Sequence, residues 1–421
     1  YLWRITFNME IDLTKFEIPN IDSWRNQVLK EVKDENALAY KNEIENIDID
    51  ISAKNNNQPS HASFNSKTDW DILSSFVIYD SLESNASILK CLEHGANHIY
   101  IDLNRIIPKW EILFKDVLID ILHITISFHN KQQIDSFKAF LKKEHEANFT
   151  ICIDPFDLEP VDAFLETSVS FSIDGFSVEQ IGASTNQQLS LILLCGDWVL
   201  QKCKNPNRIK FQIGVGSDFL IEVSKTRALK WLWQHILSKN NYVQKDLYIL
   251  GITGWTNKSI KDPHMNLLRQ TTEGLSAICG GVSGLLIHSA GELTKNGSKW
   301  FDRRMSLNIS HILKEESFLS KVSDPLNGSY VVEMLTHQII HNSWDTFLDL
   351  QENTLEEIKT TYTANIKMIR DLRINNFLNG EKQLLGINIF KHKTDSSEEE
   401  WELTPSYLNF SYLIYENLQE K

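Results

Sequence analysis

The 421 residues are 42% hydrophobic and 23% charged, with a formal net charge of −14, enough apolar content for one large domain with additions or for two domains. This acidic balance, without a basic cluster, excludes the footprint that a nucleic-acid backbone needs, and no apolar run reaches the roughly 18 residues of a membrane span. The five cysteines, Cys91, Cys152, Cys195, Cys203 and Cys279, are odd in number and irregularly spaced, which reads as free thiols of a reducing cytoplasm and not as a disulfide frame or a zinc site.

The chain opens on YLWRITFNME, with no apolar core and cleavage site of a secretory signal; Met9 is the expected natural start. Residues 1–68 read as an arm without a core of its own: a helical stretch around Trp24 to Val32, then the Asn-rich Asn46 to Gln58. Its functional reading is an arm that wraps a partner subunit.

From Ser74 onward, strands and helices alternate. Strands are expected at Ser75 to Tyr79, His98 to Leu103, Leu122 to Phe128, Phe149 to Ile153, Val169 to Ile173, Ile209 to Ile213, Leu247 to Ile252 and Gly284 to Ile287. All are short apolar runs of the kind that parallel sheets bury on both faces. Between them, Ser84-Asn85 and Asn130 are candidate helix caps, and longer helices are expected at Leu189 to Leu200, Phe219 to Leu237 and Trp300 to Leu313. The clearest unit is Leu247 to His288, a strand, a polar loop, a helix opened by Asp262-Pro263 and closed by Gly280-Gly281, and a second strand.

The fold class predicted is α/β: a (β/α)8 TIM barrel over residues 69–320, with the N-terminal extension 1–68 and C-terminal helices and linker over 321–421. Helices are expected at Tyr330 to Leu350 and Leu355 to Asn379, and the acidic run Asp395 to Glu400 reads as solvated.

Barrel enzymes place their chemistry at the carboxyl ends of the strands. Those ends offer Tyr79, Asp80, Asp102, Ser127, His129, Asp154, Asp174, Gly214 to Asp218, Gly251, His288 and Ser289. Acids and imidazoles of this kind can serve acid-base or metal chemistry, but polar strand ends equally cap helices, and Asp154-Pro155 looks like a turn. No Walker loop, His-Glu-x-x-His, Gly-x-Ser-x-Gly or Cys-x-x-Cys is present. Gly214-x-Gly216 is a weak anion-nest match.

Several segments carry a family resemblance. They are Thr253-Gly254-Trp255, DPHMNLLRQTTEGLSAICGG from Asp262, DPLNGSYVVEMLT at Asp324 to Thr336, and Trp344. Lys225, Arg227, Ala228, Leu232 and Trp233 on one helix, GFSVEQIGA at Gly175 to Ala183 and GINIF at Gly386 to Phe390 agree with them. In this ordered set the chain resembles the methylmalonyl-CoA mutase family over most of Trp70 to Phe390. The resemblance implies a barrel whose axis threads the arm of coenzyme A, a cobalamin-binding domain beyond it, and radical interconversion of methylmalonyl-CoA and succinyl-CoA with adenosylcobalamin.

The departures shape the expectation. Ile249 stands where the family has its catalytic His, and isoleucine offers no hydrogen bond to a thioester carbonyl. Ser177 stands at the His of the family's Gly-Tyr-His, and the N-terminal region shows no match to the Tyr-Ala-Gly-Phe segment that supplies its active-site tyrosine. No cobalamin-binding domain and no Asp-x-His-x-x-Gly cobalt-ligand motif is expected in this chain. The resemblance therefore implies the small (beta) subunit of a cytoplasmic heterodimeric mutase. No catalytic, cofactor-binding or metal residues are expected, and Ser177, Glu179, Ile249 and His288 are degenerate channel-rim positions. The large (alpha) subunit would supply adenosylcobalamin, the acyl-CoA site and the chemistry, with Trp24 a candidate interface anchor. The alternatives are an independent barrel lyase or hydrolase using Asp102, Asp154 and His288, and a partner that only assists mutase assembly.

Overall fold

Eight apolar runs become eight parallel strands that close on themselves, each paired with its neighbours in sequence and the last with the first. The computed structural model describes residues 20–34, 38–50, 68–143, 148–243, 246–289, 291–292, 298–391 and 406–419. In chain order the elements begin with α1 (Ile21–Val32), β1 (Ala39–Asn42) and β2 (Ile47–Asp50). The barrel follows as β3 (Asp71–Val77), α2 (Ser81–Glu93), β4 (His98–Asp102), α3 (Trp110–Leu113), β5 (His123–Ser127), α4 (Lys131–Leu141), β6 (Phe149–Ile153) and α5 (Glu159–Phe164). It continues through β7 (Ser170–Asp174), α6 (Phe176–Gln180), α7 (Thr185–Cys203), β8 (Ile209–Val215), α8 (Phe219–Lys239), β9 (Ile249–Thr253), α9 (Pro263–Gly280), β10 (Gly284–Leu286) and α10 (Trp300–His311). Helices α11 (Tyr330–Gln351) and α12 (Leu355–Leu378) and the short strands β11 (Ser406–Tyr407) and β12 (Phe410–Ser411) complete the chain.

The expected (β/α)8 barrel is present, and β10 closes it by pairing Gly284 with Asp71 and Leu286 with Leu73. Closure sets where β3 begins: Asp71 N–H donates to Ser283 O at 2.9 Å, so the strand starts four residues before the Ser75 expected and leaves Tyr79 beyond its end. Asp80, not Ser84 or Asn85, then caps α2 by accepting from Leu82 and Glu83 N–H. Asn85 is buried instead, donating to the carbonyls of Leu113 and Lys115.

Side chains alternate along a strand, so each barrel strand gives one set to the helices and one to the axis. The outward set joins the helices in a single large core containing Ile99, Ile124, Ile151, Phe171, Phe211 and Ile249. The inward set centres on Leu73, Leu250, Ile252 and Leu286, with Tyr100 and Tyr248 against them. Polar inward residues are paired with one another: Thr125 with His98, Thr150 with Lys210, and Gln212 with Cys152.

Helix α7 begins at a full capping box, Ser184 with Gln187, four residues before the apolar run that marks it in the sequence. Its polar first turn is buried because other elements cover it. Glu45, in the β1–β2 turn, accepts from Thr185 N–H at 2.7 Å and from Arg373 on α12 at 2.8 Å. The same hairpin pairs with α11 through Gln338 and Asn342 and buries Ile47 and Ile49. This part of the arm packs on its own chain. Helix α1 buries no residue, and its Trp24 is 42% exposed. Residues 1–19 and 51–67 and the acidic run Asp395 to Glu400 lie outside the described residues.

The C-terminal stretch, expected as linker, folds back over the barrel. Glu416 accepts from Ser259 Oγ at 2.5 Å and from Ile260 N–H at 2.9 Å, and Leu413 N–H donates to Gln180 O at 2.7 Å. No described helix is long and apolar enough to cross a membrane.

Candidate functional site

The carboxyl ends of the strands enclose a cavity of about 420 Å³. Its walls carry Asp102, Ser127 and Asp174 at the ends of β4, β5 and β7, His129 after β5, Asp154 after β6, Ser177 after β7, and His288 and Glu292 after β10. The β11–β12 hairpin forms a roof: Tyr407 OH donates to Asp154 Oδ1 at 2.7 Å, and Tyr412 OH lies 3.1 Å from Ser177 Oγ.

Two imidazole–carboxylate pairs stand in the mouth. His129 Nε2 is 2.5 Å from Asp102 Oδ1, and that bond, against the pull of burial, raises the imidazole's pKa. His288 Nδ1 is 3.0 Å from Glu292 Oε2, while Ser75 Oγ donates to Glu292 Oε1 at 2.7 Å. Burial raises the Glu292 carboxyl, but His288, Arg303 and Ser75 outweigh it and hold it below the usual range. The His288 ring lies between Trp255 and Phe176, with centroids at 4.5 and 5.5 Å, and its Nε2 is buried without a hydrogen-bond partner among the described residues.

The other acids have local roles. Asp154 accepts from Phe156 N–H at 2.9 Å, the turn expected of its Asp-Pro sequence. Asp174 accepts from Ser177 Oγ at 2.6 Å. Burial raises both carboxyls. Among the described residues the lining holds Asp102, Asp154, Asp157, Asp174 and Glu292 but neither lysine nor arginine, which disfavours an anionic ligand. Two acid-base pairs and hydroxyl groups fit a small neutral or cationic molecule.

Of the four expected rim positions, Ser177 and His288 meet in this mouth. Glu179 stands behind it, its carboxylate packed against Gly214, where a Cβ would collide at 2.7 Å, and close to Gly254. Ile249 is not on the rim: it is the first residue of β9, faces outward into the helical core, and leaves Leu250 and Ile252 to fill the axis. A period of two explains it, since a one-residue shift moves a side chain to the opposite face. Tyr79 and Asp80 lie beyond the cavity, and the Gly214 carbonyl accepts from Lys225 Nζ at 2.6 Å, so that segment is occupied by its own chain.

Sequence reasoning missed Glu292, Tyr407 and Tyr412. His288-x-x-x-Glu292 has the spacing of one helical turn and could have been flagged; nothing local signals that the two tyrosines return from the C-terminal stretch.

The family described as methylmalonyl-CoA mutase matches residues 165–407. The methylmalonyl-CoA mutase small subunit of Porphyromonas gingivalis is 26% identical over 325 residues, 68% of this chain and 52% of that protein. The small subunit of Streptomyces virginiae is 22% identical over 322 residues, 67% of this chain and 52% of its own. The chain thus spans about half the length of these curated relatives. Among solved structures, dihydropteroate synthase from Xanthomonas albilineans in complex with 7,8-dihydropteroate is similar over 59% of this chain and 93% of its own, at 10% identity and a TM-score of 0.35, too loose a likeness to bear on the site.

Proposed function

This chain belongs to the methylmalonyl-CoA mutase family, and from that premise we propose that it is the small subunit of a heterodimeric mutase interconverting methylmalonyl-CoA and succinyl-CoA. In this reading it carries no catalytic site. It packs against a large subunit that binds adenosylcobalamin and the acyl-CoA and performs the rearrangement. The two relatives named as small subunits, each similar over two thirds of the chain, support the assignment.

The observation that carries the non-catalytic reading is the filled axis. Between the carboxyl mouth and the amino mouth, Leu73, Leu250, Ile252 and Leu286 of the adjacent strands β3, β9 and β10 pack with Tyr100 of β4 on the inward face, and the cavities at the two ends share no lining residue. A pantetheine arm threading the axis would meet this layer, and displacing its buried side chains would cost about 1.5–3 kcal/mol each. The carboxyl mouth fits neither an acyl-CoA carboxylate nor a corrin ring. Its walls are acidic, and Tyr407 and Tyr412 cover it.

A second reading rests on His288, whose unpartnered Nε2 and Glu292-bound Nδ1 have the form of an oriented acid-base group. It makes the chain a barrel lyase or hydrolase acting on a small uncharged or cationic substrate. Isothermal titration of the chain alone with the mutase's own ligands separates the two. The small-subunit reading expects no uptake of adenosylcobalamin or succinyl-CoA; tight binding of either overturns it. Turnover without a partner, abolished by His288→Ala, would favour the second.

A further inference from the structure

The opposite end of the barrel holds a cluster that neither reading uses. Asp71, His98 and His123 are the first residues of β3, β4 and β5. His98 pairs directly with His123, and with Leu73 on the other side, two residues along from Asp71. Period two puts all three side chains on the inward face. Asp71 Oδ2 lies 2.9 Å from His123 Nδ1 and 3.6 Å from His98 Nδ1, and the three ligand atoms fall within 4.8 Å of one another.

We propose that Asp71, His98 and His123 form a binding site for a divalent transition metal, zinc or a metal of similar preference, at the amino-terminal mouth of the barrel. Two imidazoles and one carboxylate are a donor set such ions accept. With bonds of about 2.0–2.1 Å, tetrahedral ligand atoms sit roughly 3.4 Å apart, close to the spacings found. His98 is also oriented as a ligand. Its Nε2 lies 2.8 Å from Thr125 Oγ1, so an Nε2–H donated there leaves the Nδ1 lone pair facing Asp71. Tyr248 OH donates to Asp71 Oδ2 at 2.8 Å and lies 2.9 Å from His98 Nδ1, holding the carboxylate from the other side. Lys210 Nζ donates to Thr150 Oγ1 at 2.9 Å and lies 4.9 Å from the centre of the Tyr248 ring, a buried cation that a bound metal would have to tolerate.

The site is reachable from solvent. A cavity of about 530 Å³ opens onto Asp71, His123 and Tyr248, and Asp69 and Asp246 also line it. The His123 side chain is 36% exposed. The metal thus has three protein ligands and a position open to water, with carboxylates along its approach. The proposal stands independently of the mutase assignment, because it uses only the barrel's amino end.

The test is titration of the purified, chelator-stripped full chain with Zn²⁺ by calorimetry, and with Co²⁺ by visible absorption, where a tetrahedral nitrogen–oxygen site gives intense bands. The expected result is one equivalent bound per chain. His123→Ala and the near-isosteric Asp71→Asn should each abolish it with the far-UV spectrum unchanged, and Tyr248→Phe should weaken it about 10–100-fold. Replacing His337 and His341, a neighbouring pair on α11, should leave it intact. Failure to bind one equivalent, binding undiminished in either His123→Ala or Asp71→Asn, or loss on removing the α11 pair overturns the proposal and leaves the cluster a hydrogen-bonded plug.

Discussion

Arg227 on α8 and Glu333 on α11 meet at 2.7 Å inside the protein, although 106 residues separate them. Asp324 lies 3.5 Å from the same guanidinium, and Glu333 Oε1 also accepts from Gly328 N–H at 3.0 Å. Two motifs that the sequence displays separately, the Lys-x-Arg-Ala helix and the Asp-Pro-Leu-Asn-Gly-Ser turn, are therefore two sides of one buried ion pair. It fastens the C-terminal helices to the barrel.

Removing Glu333 takes the 2.7 Å carboxylate from a buried guanidinium and leaves it Asp324 at 3.5 Å. Glu333→Leu is expected to cost about 3–5 kcal/mol in urea unfolding, whereas the double variant Arg227→Met with Glu333→Leu should recover much of it. Equal losses in the single and double variants would show that the guanidinium finds other partners.

Glu45 reaches from the N-terminal hairpin to Thr185 N–H and Arg373. Glu45→Ala leaves both donors without that acceptor, and about 1–3 kcal/mol of stability should be lost. Limited proteolysis should then cut near residues 43–46 before the barrel. Unchanged cleavage and stability would mean the hairpin is an ornament on α11.

Burial lowers the Lys230 ammonium to about 7, its Nζ donating to Gly280 O at 3.2 Å. A lysine whose folded pKa lies below its unfolded value, about 10.4, carries fewer protons folded than unfolded. Its contribution is present above the unfolded pKa and is lost as pH falls toward 7. Stability should therefore rise with pH between about 7 and 10 through this group, and Lys230→Met should flatten the rise. A profile identical in both proteins would contradict the account.

The mouth's acidity predicts its ligand preference. Spermidine or another small polyamine at low ionic strength should raise the melting temperature more than citrate or succinate at equal concentration, because no lysine or arginine among the described residues lines the cavity. Greater stabilisation by the dicarboxylates, measured by differential scanning fluorimetry, would reverse that picture.

The barrel is legible in the sequence because parallel strands covered on both faces appear as unbroken apolar runs, as in Phe149–Ile153. The same continuity hides the axis. His98 and His123 begin strands whose inward and outward positions only closure distinguishes, and Ile249 falls on the helical side because motif spacing carries no strand phase. The hairpin leaves only a short trace, Ile47, Ile49 and Ile51 alternating with Asp48 and Asp50 in an acidic, Asn-rich stretch. The roof leaves none, because Tyr407 and Tyr412 reach Asp154 and Ser177 across more than 230 residues of chain. Trp255 and His288 are visible as residues, and only the fold stacks one on the other.

The central claim, a barrel that supports catalysis elsewhere without performing it, is tested most directly on the assembled enzyme. This chain would be co-expressed with a large mutase chain, weighed by native mass spectrometry and assayed for methylmalonyl-CoA isomerisation with adenosylcobalamin. The account predicts a one-to-one complex whose kcat is unchanged by His288→Ala and Asp154→Asn in this chain. A complex that forms but loses its turnover with either substitution would place chemistry in this barrel and contradict the account, as would failure of the two chains to associate.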